Sequence, residues 1–205
     1  MSTFESLLAG QKLLPIIQAD TIEQGIQIAK AMRDGGVRLV EVVLRTEASL
    51  AVLKAIKKEF PNMIVGAGTI TCDKTLQAAL EAGSDFIVTP GITASLGNEL
   101  KQCKVPVLPG VSSVADILQA KELGFNELKL FPASLSGGAS FIQAMSSLFK
   151  DIIFCPTGGV NEKNKEDYLA LGNCIAVGGT WVAPINWVQQ KEWQKITDAC
   201  KKALS

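Results

Sequence analysis

Apolar and polar residues alternate along this chain in blocks of two kinds. Near-continuous apolar runs, most of which end at or just before glycine, proline or threonine, are typical of strands that are buried on both faces. Between them lie longer segments with start signals such as Ser, Thr or Asp and stop signals such as glycine or proline, which indicate helices. The apolar runs predict strands at 13–18, 38–45, 64–69, 86–90, 105–109, 127–131, 152–157 and 174–179. The longer segments predict helices at 22–33, 47–60, 73–82, 95–103, 114–123, 139–149, 161–171 and 186–203, after a short lead-in helix at 3–10.

Eight strand–helix units follow one another in this pattern. Regular alternation of strands and helices predicts βαβ units and a parallel sheet, and eight such units close into a (β/α)8 TIM barrel. An open, doubly wound sheet is the alternative, but no G-x-G-x-x-G follows the first predicted strand. The 205 residues are at the short end for a barrel, so we expect one domain, 1–205, with brief loops.

Charge and composition narrow the possible partners. Lys plus Arg and Asp plus Glu are 20 each, so the formal net charge is zero and nothing indicates nucleic-acid binding. No apolar run approaches the roughly 18 residues needed to cross a bilayer, and residues 1–9 lack the positive charge of a secretory signal. Five cysteines without a C-x-x-C motif predict reduced thiols in a cytoplasmic protein.

The chain contains no histidine. This removes the commonest general base and the commonest metal ligand. We therefore expect no metal and no cofactor, and acid–base chemistry must use Asp, Glu, Lys, Tyr or Cys.

The sixth predicted strand carries a lysine in the middle of an apolar run, Glu127-Leu128-Lys129-Leu130-Phe131. Side chains alternate between the faces of a strand, so Lys129 and Phe131 are expected on one face and the two leucines on the other. Lysine is almost never fully buried without a reason. Lys129 therefore pairs with an acid, extends its amine into water, or serves as an uncharged, nucleophilic amine.

Candidate site residues are found where the predicted strands end, because the active site of a (β/α)8 barrel lies at the carboxyl ends of its strands. Strand two carries Glu41 and Arg45, which share a face at a spacing of four residues. Each residue also has a purely structural interpretation. Glu41 could be the partner of a buried charge, and Arg45 could be a solvated residue at the end of the strand. The further candidates from the other strands are Thr69, Pro90, Lys129, Phe131 and Thr157.

Glycine-rich loops follow strands seven and eight. Barrels often bind phosphate at these two loops beside a helix N-terminus, and backbone without side chains lets N–H groups approach an anion. The helix predicted from Asn161 would add a favourable dipole. Ordinary turns are the alternative. The residues of the predicted phosphate site are Gly158, Gly159, Gly179 and Thr180.

These residues together favour one chemistry. A desolvated lysine can attack a ketone and form a Schiff base, and Glu41 can move the protons that such a reaction requires. Arg45 and Thr69 are suited to hold the carboxylate of an α-keto acid. The residues therefore favour an enzyme that acts on a keto-acid phosphate.

The same stretches resemble the 2-keto-3-deoxy-6-phosphogluconate (KDPG) and 4-hydroxy-2-oxoglutarate (KHG) aldolase family, in the same order over essentially the whole chain. The combination of L-R-T with K-x-F-P-A is the most specific part. The stretches are Glu41-Val42-Val43-Leu44-Arg45-Thr46, Val65-Gly66-Ala67-Gly68-Thr69, Thr89-Pro90-Gly91, Lys129-Leu130-Phe131-Pro132-Ala133, Cys155-Pro156-Thr157-Gly158-Gly159-Val160 and Gly178-Gly179-Thr180-Trp181.

The resemblance implies a metal-independent class I aldolase that forms a trimer of (β/α)8 barrels and cleaves KDPG reversibly in the Entner–Doudoroff pathway. It implies Lys129 as the Schiff-base lysine and Glu41 as the proton shuttle, with Arg45 and Thr69 on the pyruvyl carboxylate. It further implies that three residues shape the pocket and that the glycine loops hold the phosphate. The pocket-shaping residues are Pro90, Phe131 and Thr157.

Two positions depart from the family pattern. Val43 stands where the family often has Thr, and Thr180 stands where it often has Ser. Thr180 keeps the hydroxyl, so phosphate binding should persist, whereas Val43 removes a polar group that could bear on substrate preference.

Three alternatives remain. One is the related aldolase for the galactonate epimer, although L-R-T and T-P-G fit the gluconate type better. A metal-dependent sugar-phosphate epimerase is the second, and the absence of histidine argues against it. The third is a non-catalytic barrel that binds phosphosugars.

Overall fold

Strands and helices alternate in the computed structural model, which describes residues 3–205. The strands are β1 (Leu13–Ile17), β2 (Leu39–Val43), β3 (Ile64–Gly68), β4 (Ile87–Val88), β5 (Val107–Leu108), β6 (Gly110–Val111), β7 (Glu127–Leu130), β8 (Ile153–Phe154) and β9 (Val177–Gly179). The helices are α1 (Phe4–Leu8), α2 (Ile22–Asp34), α3 (Ser49–Glu59), α4 (Asp73–Glu81), α5 (Ala94–Leu100), α6 (Val114–Glu122), α7 (Gly138–Leu148), α8 (Lys165–Leu169), α9 (Ile185–Gln189) and α10 (Trp193–Leu204).

The strands form a closed ring of parallel pairs. β5, β4, β3, β2, β1 and β9 pair in that order, and β6, β7 and β8 form a second sheet. Pro109 alone separates β5 from β6, which joins the sheets on one side. Parallel bridges from Phe154 to Cys174 and from Thr157 to Gly178 join them on the other. With β5 and β6 taken as one interrupted strand, the ring has eight strands, which confirms the predicted (β/α)8 barrel.

Pro109 interrupts the fifth predicted strand rather than ending it. Leu108 pairs with β4, whereas Gly110 pairs with Lys129 of β7. Proline has no N–H to donate to a ladder, but its carbonyl accepts a 2.8 Å hydrogen bond from the Lys129 N–H. The prediction that this strand stops at Pro109 was therefore wrong.

The strands place alternate side chains in two layers. Val40, Val42, Leu128 and Leu130 point outward and pack with the surrounding helices. The inward layer at the amino ends of the strands is apolar and includes Leu14, Leu39, Phe86 and Leu108. This arrangement leaves the carboxyl ends of the strands for polar residues.

The short helix α1 closes the amino-terminal end of the barrel. Phe4 is fully buried and packs edge-on against Phe86 with ring centroids 5.2 Å apart. The Phe4 and Glu5 N–H groups donate to the Glu127 carboxylate at 2.7 and 2.8 Å. Because Glu127 is the first residue of β7, this contact anchors α1 to the strand that carries Lys129.

Two predicted helices differ from the observed ones. The helix predicted at 161–171 is only α8, since the Asn161 N–H donates to Asn164 Oδ1 at 2.8 Å and Asn164 Nδ2 donates to the Gly159 carbonyl at 3.0 Å. Such local side-chain bonds compete with a helix. The helix predicted at 186–203 is split into α9 and α10, with Lys191 between them at a φ of 56°.

Candidate active site

Lys129 and Glu41 meet inside the barrel. Lys129 Nζ lies 3.2 Å from Glu41 Oε1, and the side chains are 4% and 0% exposed. Lys129 and Phe131 occupy the inward face while Leu128 and Leu130 pack outward, so the predicted alternation is confirmed. A lysine that extends its amine into bulk water does not fit this burial.

Two buried polar atoms, one in this pair and one on Thr157 after β8, lack a hydrogen-bond partner within residues 3–205. They are Glu41 Oε2 and Thr157 Oγ1, and both are buried. Buried polar groups are normally hydrogen-bonded, and an unsatisfied one costs about 1–3 kcal/mol. A ligand with hydroxyl groups that entered the barrel could satisfy both atoms.

Cys155 lies next to the pair, a neighbour that the sequence did not single out. The residue is fully buried on the inward face. Burial raises the pKa of the Cys155 thiol well above its ordinary value, and the nearby Cys174 raises it further. The thiol therefore stays protonated and adds no charge to the interior.

Arg45 and Thr69 come together at the carboxyl ends of β2 and β3. Arg45 Nε donates to Thr69 Oγ1 at 3.1 Å. Thr69 has a φ of 65°, which is rare for a β-branched residue and places it in a strained conformation. Strain of this kind is concentrated at ligand sites, so it supports a binding role for the predicted pair.

Phe131 borders the lysine, and Pro90 lies against Gly110, which pairs with Lys129. Lys129 Nζ lies 5.2 Å from the Phe131 ring centroid, within cation–π range. Thr89 holds the turn that contains Pro90: its hydroxyl donates to the Gly91 carbonyl at 2.7 Å and accepts from the Gly110 N–H at 3.0 Å. The sequence placed Thr89 at the end of strand four in the Thr89-Pro90-Gly91 stretch but gave it no role of its own.

The two glycine loops lie side by side, since Thr157 bridges Gly178. Gly158 and Gly159 have φ values of 94° and 80°, which only glycine adopts readily. The N–H groups of Gly158, Gly159 and Thr180 donate to no acceptor among residues 3–205. Gly179 ends β9 and pairs with Pro15.

The prediction that a helix N-terminus beside these loops adds a favourable dipole is wrong. α8 has five residues and begins at Lys165, several residues after the Gly158-Gly159 turn, so no helix N-terminus opens at Asn161. An anion here would instead meet free backbone N–H groups in two adjacent loops.

The described residues offer no cluster of three or more His, Cys, Asp or Glu side chains that could hold a metal ion. Over the same part of the chain, each helix is too short or too polar to cross a bilayer. All five cysteines are free thiols.

The fold and the buried lysine–glutamate pair define the chain as a (β/α)8-barrel protein with a potential amine nucleophile. The model of the family described as KDPG and KHG aldolase matches residues 4–199. This chain belongs to that family.

Relatives with 34–37% identity span almost the whole chain. The KHG/KDPG aldolase of Escherichia coli strain K12 is 37% identical over 200 residues, covering 98% of this chain and 94% of the relative. The crystal structure of Legionella pneumophila KDPG aldolase, with pyruvate captured at low pH as a covalent carbinolamine, superposes with a TM-score of 0.95 at 34% identity over 98% of both chains. The KDPG aldolase of Zymomonas mobilis ZM4 with 3-phosphoglycerate gives 0.90 at 37% identity, covering 98% and 94%.

Proposed function

We propose that this protein is a class I aldolase that cleaves KDPG reversibly to pyruvate and D-glyceraldehyde 3-phosphate. The observation that carries the proposal is the Lys129–Glu41 pair, 3.2 Å apart inside a closed barrel of this family. The Legionella relative held pyruvate as a carbinolamine. A carbinolamine is the first adduct of an amine with a ketone, so that capture supports a lysine nucleophile.

The first half of the mechanism joins Lys129 to the substrate. The Lys129 ammonium passes a proton to Glu41, and the neutral amine attacks the C2 ketone to give a carbinolamine. Glu41 returns a proton to the departing C2 hydroxyl, water leaves, and a C2 iminium remains. The positive nitrogen then attracts the electrons of the neighbouring carbon–carbon bond.

The second half breaks the C3–C4 bond. Glu41 accepts the proton of the C4 hydroxyl, the electrons of that O–H bond form the second bond of the aldehyde carbonyl, and the C3–C4 electrons move into the iminium to give an enamine. After the aldehyde leaves, Glu41 protonates C3. Water then hydrolyses the regenerated iminium, which releases pyruvate and returns Lys129 to its ammonium form beside the Glu41 carboxylate.

Both ends of the substrate carry negative charge. Arg45, aligned by Thr69, binds the pyruvyl carboxylate in a charge-assisted contact. The phosphate lies against free N–H groups of two adjacent loops, those of Gly158 and Gly159 after β8 and that of Thr180 after Gly179, the last residue of β9. The residues that shape the pocket between these ends are Pro90, Phe131 and Thr157. The unpartnered hydroxyl of Thr157 can form a hydrogen bond with a substrate hydroxyl.

Borohydride reduction in the presence of pyruvate tests this proposal. Reduction of the iminium should attach a pyruvate-derived group to the Lys129 peptide, detectable by mass spectrometry. Lys129→Ala should give no adduct and no cleavage of KDPG. Recovery of unmodified, fully active enzyme after reduction with pyruvate would contradict the mechanism.

We infer a second activity, cleavage of 4-hydroxy-2-oxoglutarate to pyruvate and glyoxylate. The name of the Escherichia coli relative, KHG/KDPG aldolase, supports it, because the same pyruvyl-binding half serves both substrates. Cleavage rates on KDPG, its galactonate epimer and hydroxyoxoglutarate would rank the substrates. A faster rate on the epimer would assign the enzyme to the galactonate type.

We further propose a homotrimer of single-domain chains in the cytoplasm. Family membership supports the trimer. The five free cysteines support the cytoplasm, where thiols stay reduced. Light scattering should give a mass three times that of the chain. A monomer or dimer at micromolar concentration would exclude the trimer.

A further inference from the structure

Two glycines on β3, Gly66 and Gly68, face the barrel interior and are each covered by a side chain from elsewhere. A Cβ on Gly66 would overlap the ring of Phe86. A Cβ on Gly68 would overlap Glu41 Oε1 and would lie only 2.6 and 2.8 Å from Glu41 Cδ and Cγ. Glycine inside a strand often marks such a close approach.

The strand register explains why the Glu41 side chain crosses Gly68. Glu41 pairs with Gly66, and Val43 pairs with Gly68. The space in front of Gly66 is filled by the fully buried Phe86 ring. The Glu41 carboxylate therefore leans along the barrel toward the carboxyl ends of the strands, over the neighbouring bare position, where Oε1 reaches Lys129.

We propose that Gly68 is a positioning residue for Glu41. It leaves free the volume in which the carboxylate lies and so fixes the direction from which Glu41 exchanges protons with Lys129 and with substrate. This inference rests on the proposed aldolase function. Gly68 touches no reacting atom and acts only through Glu41.

The backbone conformation of Gly68 allows alanine, so the inference can be tested by adding a single methyl group. Its φ lies outside the left-handed region that favours glycine, so alanine fits the backbone without strain. Its carbonyl accepts from the Leu44 N–H at 2.9 Å, a bond that alanine would keep. The three atoms nearest to the methyl group that Gly68→Ala adds all belong to Glu41.

The first measurement separates proton transfer from Schiff-base formation. Exchange of the pyruvate methyl protons with deuterium oxide, followed by NMR, requires Glu41 in the proposed mechanism, whereas the final yield of borohydride-trapped adduct requires Lys129. Gly68→Ala should slow exchange by about 10-fold or more while its trapped yield stays near that of wild type.

Two glycines provide matched controls. Gly66→Ala adds a methyl on the same strand and face but meets Phe86, so it should lower the melting temperature without a selective loss of exchange. Gly172→Ala meets no atom within 4 Å and should change neither measurement.

The second measurement tests whether the methyl acts through Glu41. On a Glu41→Ala background the added methyl has room, so Gly68→Ala should cause little further loss of melting temperature. On the isosteric Glu41→Gln background the overlap remains, and the loss should persist. This comparison holds even if Gly68→Ala alone is too unstable for kinetics.

The outcomes separate the two proposals. Wild-type enzyme that neither exchanges pyruvate protons nor traps pyruvate would overturn the aldolase function itself. An active wild type with a folded Gly68→Ala that exchanges at the wild-type rate would overturn the role of Gly68. Equal destabilisation by Gly68→Ala on the Glu41→Ala and Glu41→Gln backgrounds would overturn it as well.

Discussion

Lys129 and Glu41 lie on opposite sides of the strand ring, 88 residues apart in sequence, and still meet at 3.2 Å. β7 and β2 are four positions apart in a ring of eight, so the two side chains span the barrel. Both are nearly excluded from solvent. Burial of two charges is unfavourable unless they pair. The charge of each side chain therefore offsets part of the free-energy cost of burying the other.

A double-mutant cycle on this pair should show strong coupling. Glu41→Gln leaves a buried ammonium without its partner, and Lys129→Met leaves a buried carboxylate. Each single change should lower the free energy of unfolding by about 3 kcal/mol. The double variant should lose much less than the sum, because no buried charge remains. Urea unfolding measures the cycle, and additive losses would contradict the coupling.

Replacing Thr69 by glycine should preserve or raise stability but weaken substrate binding. Its φ of 65° costs about 1–2 kcal/mol in a residue with a side chain, so Thr69→Gly should be at least as stable as wild type. The same change removes the acceptor for Arg45 Nε and should raise the KM for pyruvate in the exchange reaction.

Thr69→Val is the matched comparison. It keeps a β-branched side chain in the strained conformation but lacks the hydroxyl, so KM should rise without any gain in stability. Thermal unfolding and initial rates separate the two effects. A Thr69→Gly protein that is clearly less stable than wild type would argue against stored strain.

Local patterns in the sequence were sufficient for the architecture but not for interruptions of its elements. Apolar runs and stop signals predicted the alternation that closes the barrel. The break at Pro109 depends on two different neighbours, β4 and β7, that pair on either side of it. The late start of α8 depends on side-chain bonds of Asn161 and Asn164, which hydrophobic periodicity does not reveal.

The candidate site likewise contains residues that the sequence predicted and residues that it did not. Lys129 and Glu41 were predictable because a charge in a buried run is conspicuous. The roles of Thr89, Gly68 and Cys155 in the structure depend on atoms from other strands and have no comparable signal. The predicted phosphate loops lie together, but the helix expected beside them is absent at Asn161.

Thr89 should contribute to both stability and activity through its two hydrogen bonds. The side chain is fully buried, and Thr89→Val would leave the Gly110 N–H without its 3.0 Å acceptor. An unsatisfied buried donor costs about 1–3 kcal/mol of stability. Since Gly110 pairs with Lys129, the aldol cleavage rate should fall too.

Thr89→Ser keeps the hydroxyl and serves as the control. It should retain most of the stability and rate that Thr89→Val loses. Chemical unfolding and steady-state kinetics on both variants provide the comparison. Equal losses in the two variants would point to packing of the methyl group rather than to the hydrogen bonds.

The five thiols differ sharply in their environments. Burial raises the pKa of Cys174 and of Cys200 to about 12, and four of the five cysteines are buried. The exposed one is Cys72, where hydrogen bonds from Thr75 lower the pKa of the thiol. Since the thiolate is the reactive form, only Cys72 combines solvent access with a lowered thiol pKa.

Alkylation at pH 8 should therefore modify one thiol per native chain and five in denaturant. A raised pKa keeps a buried thiol protonated in the folded state, so raising the pH from 7 to 9 should speed the reaction of Cys72 and leave the others unmodified. Above pH 9 the unfolded chain ionises these thiols while the folded chain does not, so stability should decline toward pH 12. Mass spectrometry of wild type and Cys72→Ser gives the count, and rapid modification of a second native thiol would show that the buried layer opens more readily than its packing implies.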